Sequence, residues 1–237
     1  MRLDKLLANM GFGTRKDVKK LIKQKAVTVD DIVVKDVGLQ VDPEKQAVVI
    51  FGERVTYEPM IYLLMNKPAG VISATEDNYD RTVIDLLEPY HRHFEPFPVG
   101  RLDKDTEGFL LITNDGQLTH NLLSPKKHVP KVYYAKIAGE VTEQHIALFE
   151  QGVVIDDGYE TKPAKLTILQ SGDVSEIELE ISEGKFHQVK RMFKAIGTEV
   201  TYLKRLSMGP LQLGNELALG EYRELTADEV LQLQERP

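Results

Sequence analysis

The sequence predicts an α+β protein. A small helical unit with short strands is followed by a larger unit with a mixed, mostly antiparallel sheet and flanking helices. Three observations carry this expectation. The first 25 residues follow a helical period and then give way to short β-branched runs. Residues 52–60 show no periodicity and run past Pro59, which reads as a linker. From Ile61 onward, apolar or alternating runs of strand length are interspersed with helical patterns. The boundary is expected after residue 57, giving units 1–57 and 58–237, each within the usual domain range.

In the first unit, Leu3, Leu6, Leu7 and Met10 fall at i, i+3, i+4 and i+7, one face of a helix that Gly11 and Gly13 stop. Thr14 with Asp17 three residues on reads as a cap for a second helix. Val18, Leu21 and Ile22 form its apolar side. Arg15, Lys16, Lys19, Lys20 and Lys23 share an arc of roughly 140° on another side. Strands are expected at 26–29, 32–34 and 48–50, the first two joined by an Asp30-Asp31 turn. In the second unit, strands are expected at 61–65, 108–113, 132–137, 165–169, 175–181, 200–206 and 222–225. The alternation from Glu176 to Ile181 leaves one sheet face wet. Helices are expected at 82–87, 117–123, 142–151, 187–196 and 226–233, the last opening on a Thr226…Glu229 capping pattern.

The 237 residues, 42% of them hydrophobic, can form a core of useful size unaided. The chain has no cysteine, which excludes a disulfide scaffold, a thiol nucleophile and Cys-ligated zinc or iron–sulfur. No apolar run is long enough to span a bilayer, and Met1 to Lys5 does not read as a signal peptide, so a soluble cytoplasmic protein is expected. Net charge is −7, yet residues 1–25 hold eight Lys or Arg against two acids. A basic head on an acidic body points to a nucleic-acid-binding module as readily as to a solvated helix face. Neither Gly-x-Gly-x-x-Gly nor Gly-x-x-x-x-Gly-Lys-Ser/Thr is present, and His91 and His93 lack a matching acid cluster. No cofactor and no metal are expected, and the chain is expected to be a monomer.

Three segments carry chemistry. Between Gly100 and Gly108 lie Arg101, Asp103, Lys104, Asp105 and Glu107, on a loop that feeds an apolar strand. An acid flanked by cations stays ionised and can act as nucleophile or base, though spacing alone does not choose among the three acids. In the second segment His187, Lys190, Arg191 and Lys194 recur on one helical face, a cationic surface or an ordinary amphipathic helix. In the third, Lys131 to Gly139, alternation sends Tyr133 and Tyr134 to opposite faces, so one can pack while the other meets a cleft.

Residues 1–50 resemble the S4 RNA-binding domain, through Arg2-Leu3-Asp4-Lys5-Leu6-Leu7, Gly11-Phe12-Gly13-Thr14-Arg15-Lys16 and Ala26-Val27-Thr28-Val29-Asp30. The resemblance implies that Arg2, Lys5, Arg15, Lys16, Lys19, Lys20 and Lys23 contact folded RNA through its phosphates. The whole chain resembles the ribosomal RNA pseudouridine synthases that carry such a head. The match rests on Asn66-Lys67-Pro68-Ala69-Gly70, Gly100-Arg101-Leu102-Asp103-Lys104-Asp105-Thr106-Glu107-Gly108, Lys131-Val132-Tyr133 and Gly184-Lys185-Phe186-His187-Gln188-Val189-Lys190-Arg191-Met192-Phe193.

That resemblance implies a catalytic set of Asp103, Arg101, Tyr133 and Lys190. Asp103 would be the catalytic carboxylate, Tyr133 the residue stacking on the base, Lys190 the partner of the carboxylate and Arg101 a residue that flips or holds the nucleotide. Arg191 competes with Lys190 for the carboxylate. His187, Gln188 and Arg191 would contact RNA, and Asn66, Lys67 and Pro68 would support the site from beneath. The implied reaction turns uridine into pseudouridine in ribosomal RNA, free or in a partly assembled subunit, and needs no redox change, metal or energy source. Residues 71–77 look more like the enzymes of the small subunit, which implies uridine 516 of 16S rRNA as the target. The competing readings are the same chemistry on 23S rRNA, a non-catalytic ribosome-assembly factor, and a carboxylate-pair glycoside hydrolase using Asp103 with Asp105 or Glu107.

Overall fold

The computed structural model describes residues 1–57 and 59–235. These divide into two compact units, one of residues 1–61 with 88–96 and one of residues 62–87 with 97–237.

The first unit opens with α1 (Leu3–Asn9) and α2 (Arg15–Lys23). The helices pack Leu3, Leu6, Leu7, Val18 and Ile22 into one core with Val27, Val29, Val48 and Ile50. The Thr14–Asp17 cap is reciprocal: each side chain accepts the other's backbone N–H at 3.3 Å. Four short strands follow, β1 (Val27–Val29), β2 (Ile32–Val33), β3 (Val48–Ile50) and β4 (Glu53–Arg54), in the order β2-β1-β3-β4. Two hairpins close on Asp30-Asp31 and Phe51-Gly52, where all four residues have positive φ, as two-residue turns of matching twist require.

Two expectations change here. Glu53–Arg54 pairs with β3 and so belongs to the sheet; two residues are too few to show a period in sequence. The short helix α3 (Pro89–Arg92), expected to belong to the second unit, lies in the first. Its Tyr90 ring presses against Gly11, where a Cβ would come within 2.6 Å of the ring.

The second unit is a mixed sheet built from β5 (Tyr62–Lys67), β6 (Phe97–Pro98), β7 (Glu107–Thr113), β8 (Lys131–Ala138), β9 (Lys165–Gln170), β10 (Val174–Ile181), β11 (Glu199–Met208), β12 (Leu211–Gln212) and β13 (Tyr222–Glu224). Its order is β13-β5-β7-β11-β8-β10-β9, with β6 on β7 and β12 on β11. Among the described strands only β7 and β11 run parallel. The helices are α4 (Gly116–Leu123), α5 (Glu143–Gln151), α6 (Gln188–Ala195) and α7 (Ala227–Glu235). Leu118 and Leu122 of α4 and Leu233 of α7 share a core with Leu64, Phe109, Leu111 and Met208. Phe149 of α5 and Phe193 of α6 meet with ring centroids 5.1 Å apart.

The helix expected at 82–87 is a single 3-10 turn, Ile84–Leu86. Asp85 accepts from the backbone and hydroxyl of Thr82, which bridges Ile72, and Pro89 holds the preceding Glu88 extended.

The parallel junction depends on Gly108. At φ 101° it brings β7 so near β11 that a Cβ would lie 2.2 Å from the Arg205 carbonyl oxygen. Gly158 also has positive φ but has open space around its Cα. Gly158→Ala should therefore cost only the backbone penalty, about 1–2 kcal/mol. Gly108→Ala adds overpacking of about 1–3 kcal/mol, and urea unfolding should separate the two.

Candidate active site

The loop between β6 and β7 is fixed from several sides before it reaches Gly108. Ser73 Oγ donates to the Leu102 carbonyl and accepts from the Leu102 N–H, both at 3.1 Å. Gly70 N–H donates to the Lys104 carbonyl at 2.7 Å. Lys67, fully buried, drives its ammonium under the loop and donates to the carbonyls of Thr106 at 2.8 Å and Pro68 at 2.9 Å. Asn66 donates to the Leu217 carbonyl at 2.8 Å, tying β5 to the segment that leads into β13. These contacts leave Asp103 facing a cleft.

α6 supplies the cations. Its N-cap, His187, adopts a left-handed conformation at φ 49°, unusual for a non-glycine residue and more common at sites that must aim a side chain. His187 Nε2 lies 3.4 Å from Asp103 Oδ1, and Lys190 Nζ lies 3.0 Å from Asp103 Oδ2 and 2.6 Å from Asp105 Oδ1. Burial works against the charge on Lys190, but its bonds to Asp105 and Asp103 outweigh it and raise the pKa. The Asp105 carboxyl, despite partial burial, is held below its ordinary value by the same lysine.

The three acids of the loop thus part company. Asp103 lines the cavity, Asp105 is largely exposed, and Glu107 accepts from the Tyr202 hydroxyl at 2.6 Å. Lys104, expected to flank the acid, instead pairs with Asp80 at 2.5 Å. Arg101 sits exposed at the cleft without a hydrogen bond among the described residues.

The cavity of about 130 Å³ is lined by Arg101, Asp103, Lys131, Tyr133, His187 and Arg205, among others. It adjoins a wider one of about 660 Å³ that shares Arg101, Asp103, Lys131 and His187. Tyr133 faces the cavity, while Tyr134 on the opposite sheet face donates to Glu176 at 2.7 Å.

Two residues expected to contact RNA are engaged by side chains of this chain. Arg191 reaches away from Asp103 to Asp156 at 2.5 Å and Asp157 at 2.7 Å, one helical position on from Lys190. Gln188 is buried and donates to Glu183 at 2.8 Å while accepting from the Lys185 N–H, so it closes the turn before α6. Arg2 is occupied by a two-point contact with Asp4, both bonds 2.9 Å, and Lys20 pairs with Asp17 at 3.1 Å. Lys5, Arg15, Lys16, Lys19 and Lys23 are exposed.

The sequence reading gave no role to Lys131 or Arg205. The available signal was alternation: Arg205 falls two residues after Leu203 and so shares its buried face of β11. Among the described residues no cluster of His, Asp and Glu is arranged to hold a metal ion, and no helix is long and apolar enough to cross a membrane.

The mixed sheet thus presents an aspartate between a lysine and a histidine, beside a tyrosine in a small cavity. Residues 61–195 match the RNA pseudouridylate synthase family and residues 1–46 match the S4 domain. The chain belongs to the pseudouridine synthase family and carries an N-terminal S4 domain. It is 58% identical over 99% of both chains to an uncharacterised RNA pseudouridine synthase of Bacillus subtilis. It is 39% identical to the ribosomal small subunit pseudouridine synthase A of Vibrio cholerae, over 97% of this chain and 98% of the relative. It is equally 39% identical to the ribosomal large subunit pseudouridine synthase B of Bacillus subtilis, over 98% and 95%. A crystal structure of a pseudouridylate synthase superposes with a TM-score of 0.69 at 37% identity, covering 98% of this chain and 99% of the other.

Lys67 and Lys131 are both drawn down to a pKa of about 8 by burial. Between pH 8 and pH 9 the unfolded chain keeps protons on these lysines that the folded chain has lost, so stability should rise with pH there, below the range in which Tyr62, Tyr134 and Tyr202, whose pKa the fold raises, act in the opposite sense. Urea midpoints measured across this window should climb in the wild type and climb less in Lys67→Met. A flat or falling profile in the wild type would contradict the assignment.

Proposed function

We propose that this enzyme isomerises uridine to pseudouridine in ribosomal RNA, with Asp103 as the catalytic carboxylate. The observation that carries the reading is Asp103 itself, held between Lys190 and His187 at the wall of a cavity that Tyr133 also lines. The reaction exchanges the C1′–N1 bond for a C1′–C5 bond. It is redox-neutral, so one carboxylate and proton movements suffice.

The target base lies inside stacked RNA and must be turned out to reach such a cavity. Tyr133 offers a face for it to stack on. Exposed Arg101 is placed to hold the backbone or fill the space the base leaves. Lys190 fixes the position of the carboxylate. Lys67 fixes the loop beneath. The exposed cations of α2 supply phosphate contacts that position the RNA without reading its sequence.

Ribosomal RNA as the substrate is supported by the S4 head and by relatives named for ribosomal subunits. We favour the small subunit, with uridine 516 of 16S rRNA as the target, because residues 71–77 look more like the small-subunit enzymes. A large-subunit target is the second reading, favoured by a relative of equal identity.

The test is tritium release from small- and large-subunit RNA labelled at uridine C5, since C5 must lose its hydrogen. The wild type should release tritium from 16S rRNA and not from 23S rRNA. Asp103→Asn should lower the rate by about 10²–10⁴-fold or more. Release from 23S rRNA alone would move the target to the large subunit. Release by Asp103→Asn at the wild-type rate would overturn the role of the carboxylate.

A further inference from the structure

The cavity wall carries two buried cations that the reaction as described does not use. Lys131 is 8% exposed and Arg205 is 2% exposed, and both line the cavity that Asp103 lines. They come from neighbouring strands, β8 and β11, on the face that carries Tyr133. Lys131 Nζ donates to the Val129 carbonyl at 2.8 Å, and Arg205 Nε donates to the Phe109 carbonyl at 2.8 Å.

Neither cation pairs with a carboxylate among the described residues, because the cavity's one aspartate is held by Lys190 and His187. Arg205 Nη2 is buried and has no hydrogen-bond partner among the described residues. Burial, together with repulsion from Arg205, draws the Lys131 pKa down to about 8. Buried charges are ordinarily paired. Two of them in one cavity, one with an unmet donor, suit a site that receives negative charge only while substrate is bound.

We propose that Lys131 and Arg205 are catalytic residues that hold the negative charge of the uracil ring while it is detached from the ribose. The inference rests on the isomerase reading above. When C1′–N1 breaks, its electron pair stays with the ring and spreads over N1, O2 and O4. C1′ is then bonded to the Asp103 carboxylate, or C2′ has given a proton to it. In the second half C5 bonds to C1′ with the ring's electrons, and the carboxylate departs or returns its proton. N1 takes up a proton and C5 loses one to solvent. If Asp103 instead adds at C6, the displaced pair moves onto O4. Each route loads the ring carbonyls with charge, and donors that strengthen there accelerate the step.

The test uses the full-length protein and two small probes at neutral pH. Uracil is neutral there, and 5-nitrouracil is an anion because its nitro group acidifies the ring. By calorimetry the wild type should bind 5-nitrouracil at least about tenfold more tightly than uracil, and Lys131→Met should lose that preference. In single-turnover tritium release from C5-labelled rRNA, Lys131→Met and Arg205→Lys should each slow the reaction by about 10²–10³-fold with RNA affinity unchanged. Lys131→Met replaces the ammonium by an apolar chain of similar length, and circular dichroism checks its fold independently of Arg205→Lys.

The proposal falls if the wild type shows no preference for the anion. It falls equally if Lys131→Met keeps the wild-type rate. It also falls if inorganic phosphate displaces 5-nitrouracil and the variants lose RNA affinity in place of rate, which would make these cations phosphate contacts. Absence of tritium release by the wild type would count against the isomerase reading, while the probe titrations would still report on the cation pair.

Discussion

The contact between Asp103 and Lys190, 3.0 Å long, is the point on which the rest of the second unit converges. Its two members are far apart in sequence. One sits on the loop into β7 and the other on the helix before β11. Only the parallel pairing of those two strands brings the segments together, and that pairing needs the bare backbone of Gly108. An ion pair at this separation is directional only if both ends are fixed. The Lys67 clamp, the Ser73 bonds to Leu102 and the left-handed His187 supply that fixing. The site is therefore a property of the sheet's centre, although its acting groups lie on a loop and a helix end.

Charge is placed with economy. The chain is acidic overall, at −7, yet cations concentrate on α2 and around the cavity that Asp103 lines. Surface acids hold some basic groups in place, as Asp156 and Asp157 do for Arg191, and Asp80 does for Lys104. Lys5, Arg15, Lys16, Lys19 and Lys23 remain exposed on the S4 unit. Non-specific affinity for RNA can thus be built by a few well-placed side chains without making the whole protein basic.

Much of this was legible in the chain. Helical and two-residue periods located the main helices and strands because their faces are unequally wet. The capping residues Thr14 and Thr226 marked helix starts through short-range chemistry. The glycine-bounded loop and the basic helix stood out by charge density. What stayed hidden depended on long-range pairing. Periodicity could not tell Asp103 from Asp105 and Glu107, since what separates them is the fold: Asp103 lines the cavity, Asp105 is largely exposed and Glu107 accepts from Tyr202. Arg191 looked free to meet RNA because its partners, Asp156 and Asp157, lie in another segment, and Gln188 because the tight turn that folds it back onto Glu183 has no periodic signature. The segment from 88 to 96 interrupts the second unit in sequence and packs with the first, which no local pattern announces.

The central claim is that Lys190 governs the working carboxylate, and the single-turnover rate of Lys190→Met tests it most directly. Tritium release from C5-labelled ribosomal RNA should fall by about 10²-fold or more, with binding retained and partial recovery in Lys190→Arg, which keeps the charge. A folded Lys190→Met enzyme that turns over at the wild-type rate would contradict the account.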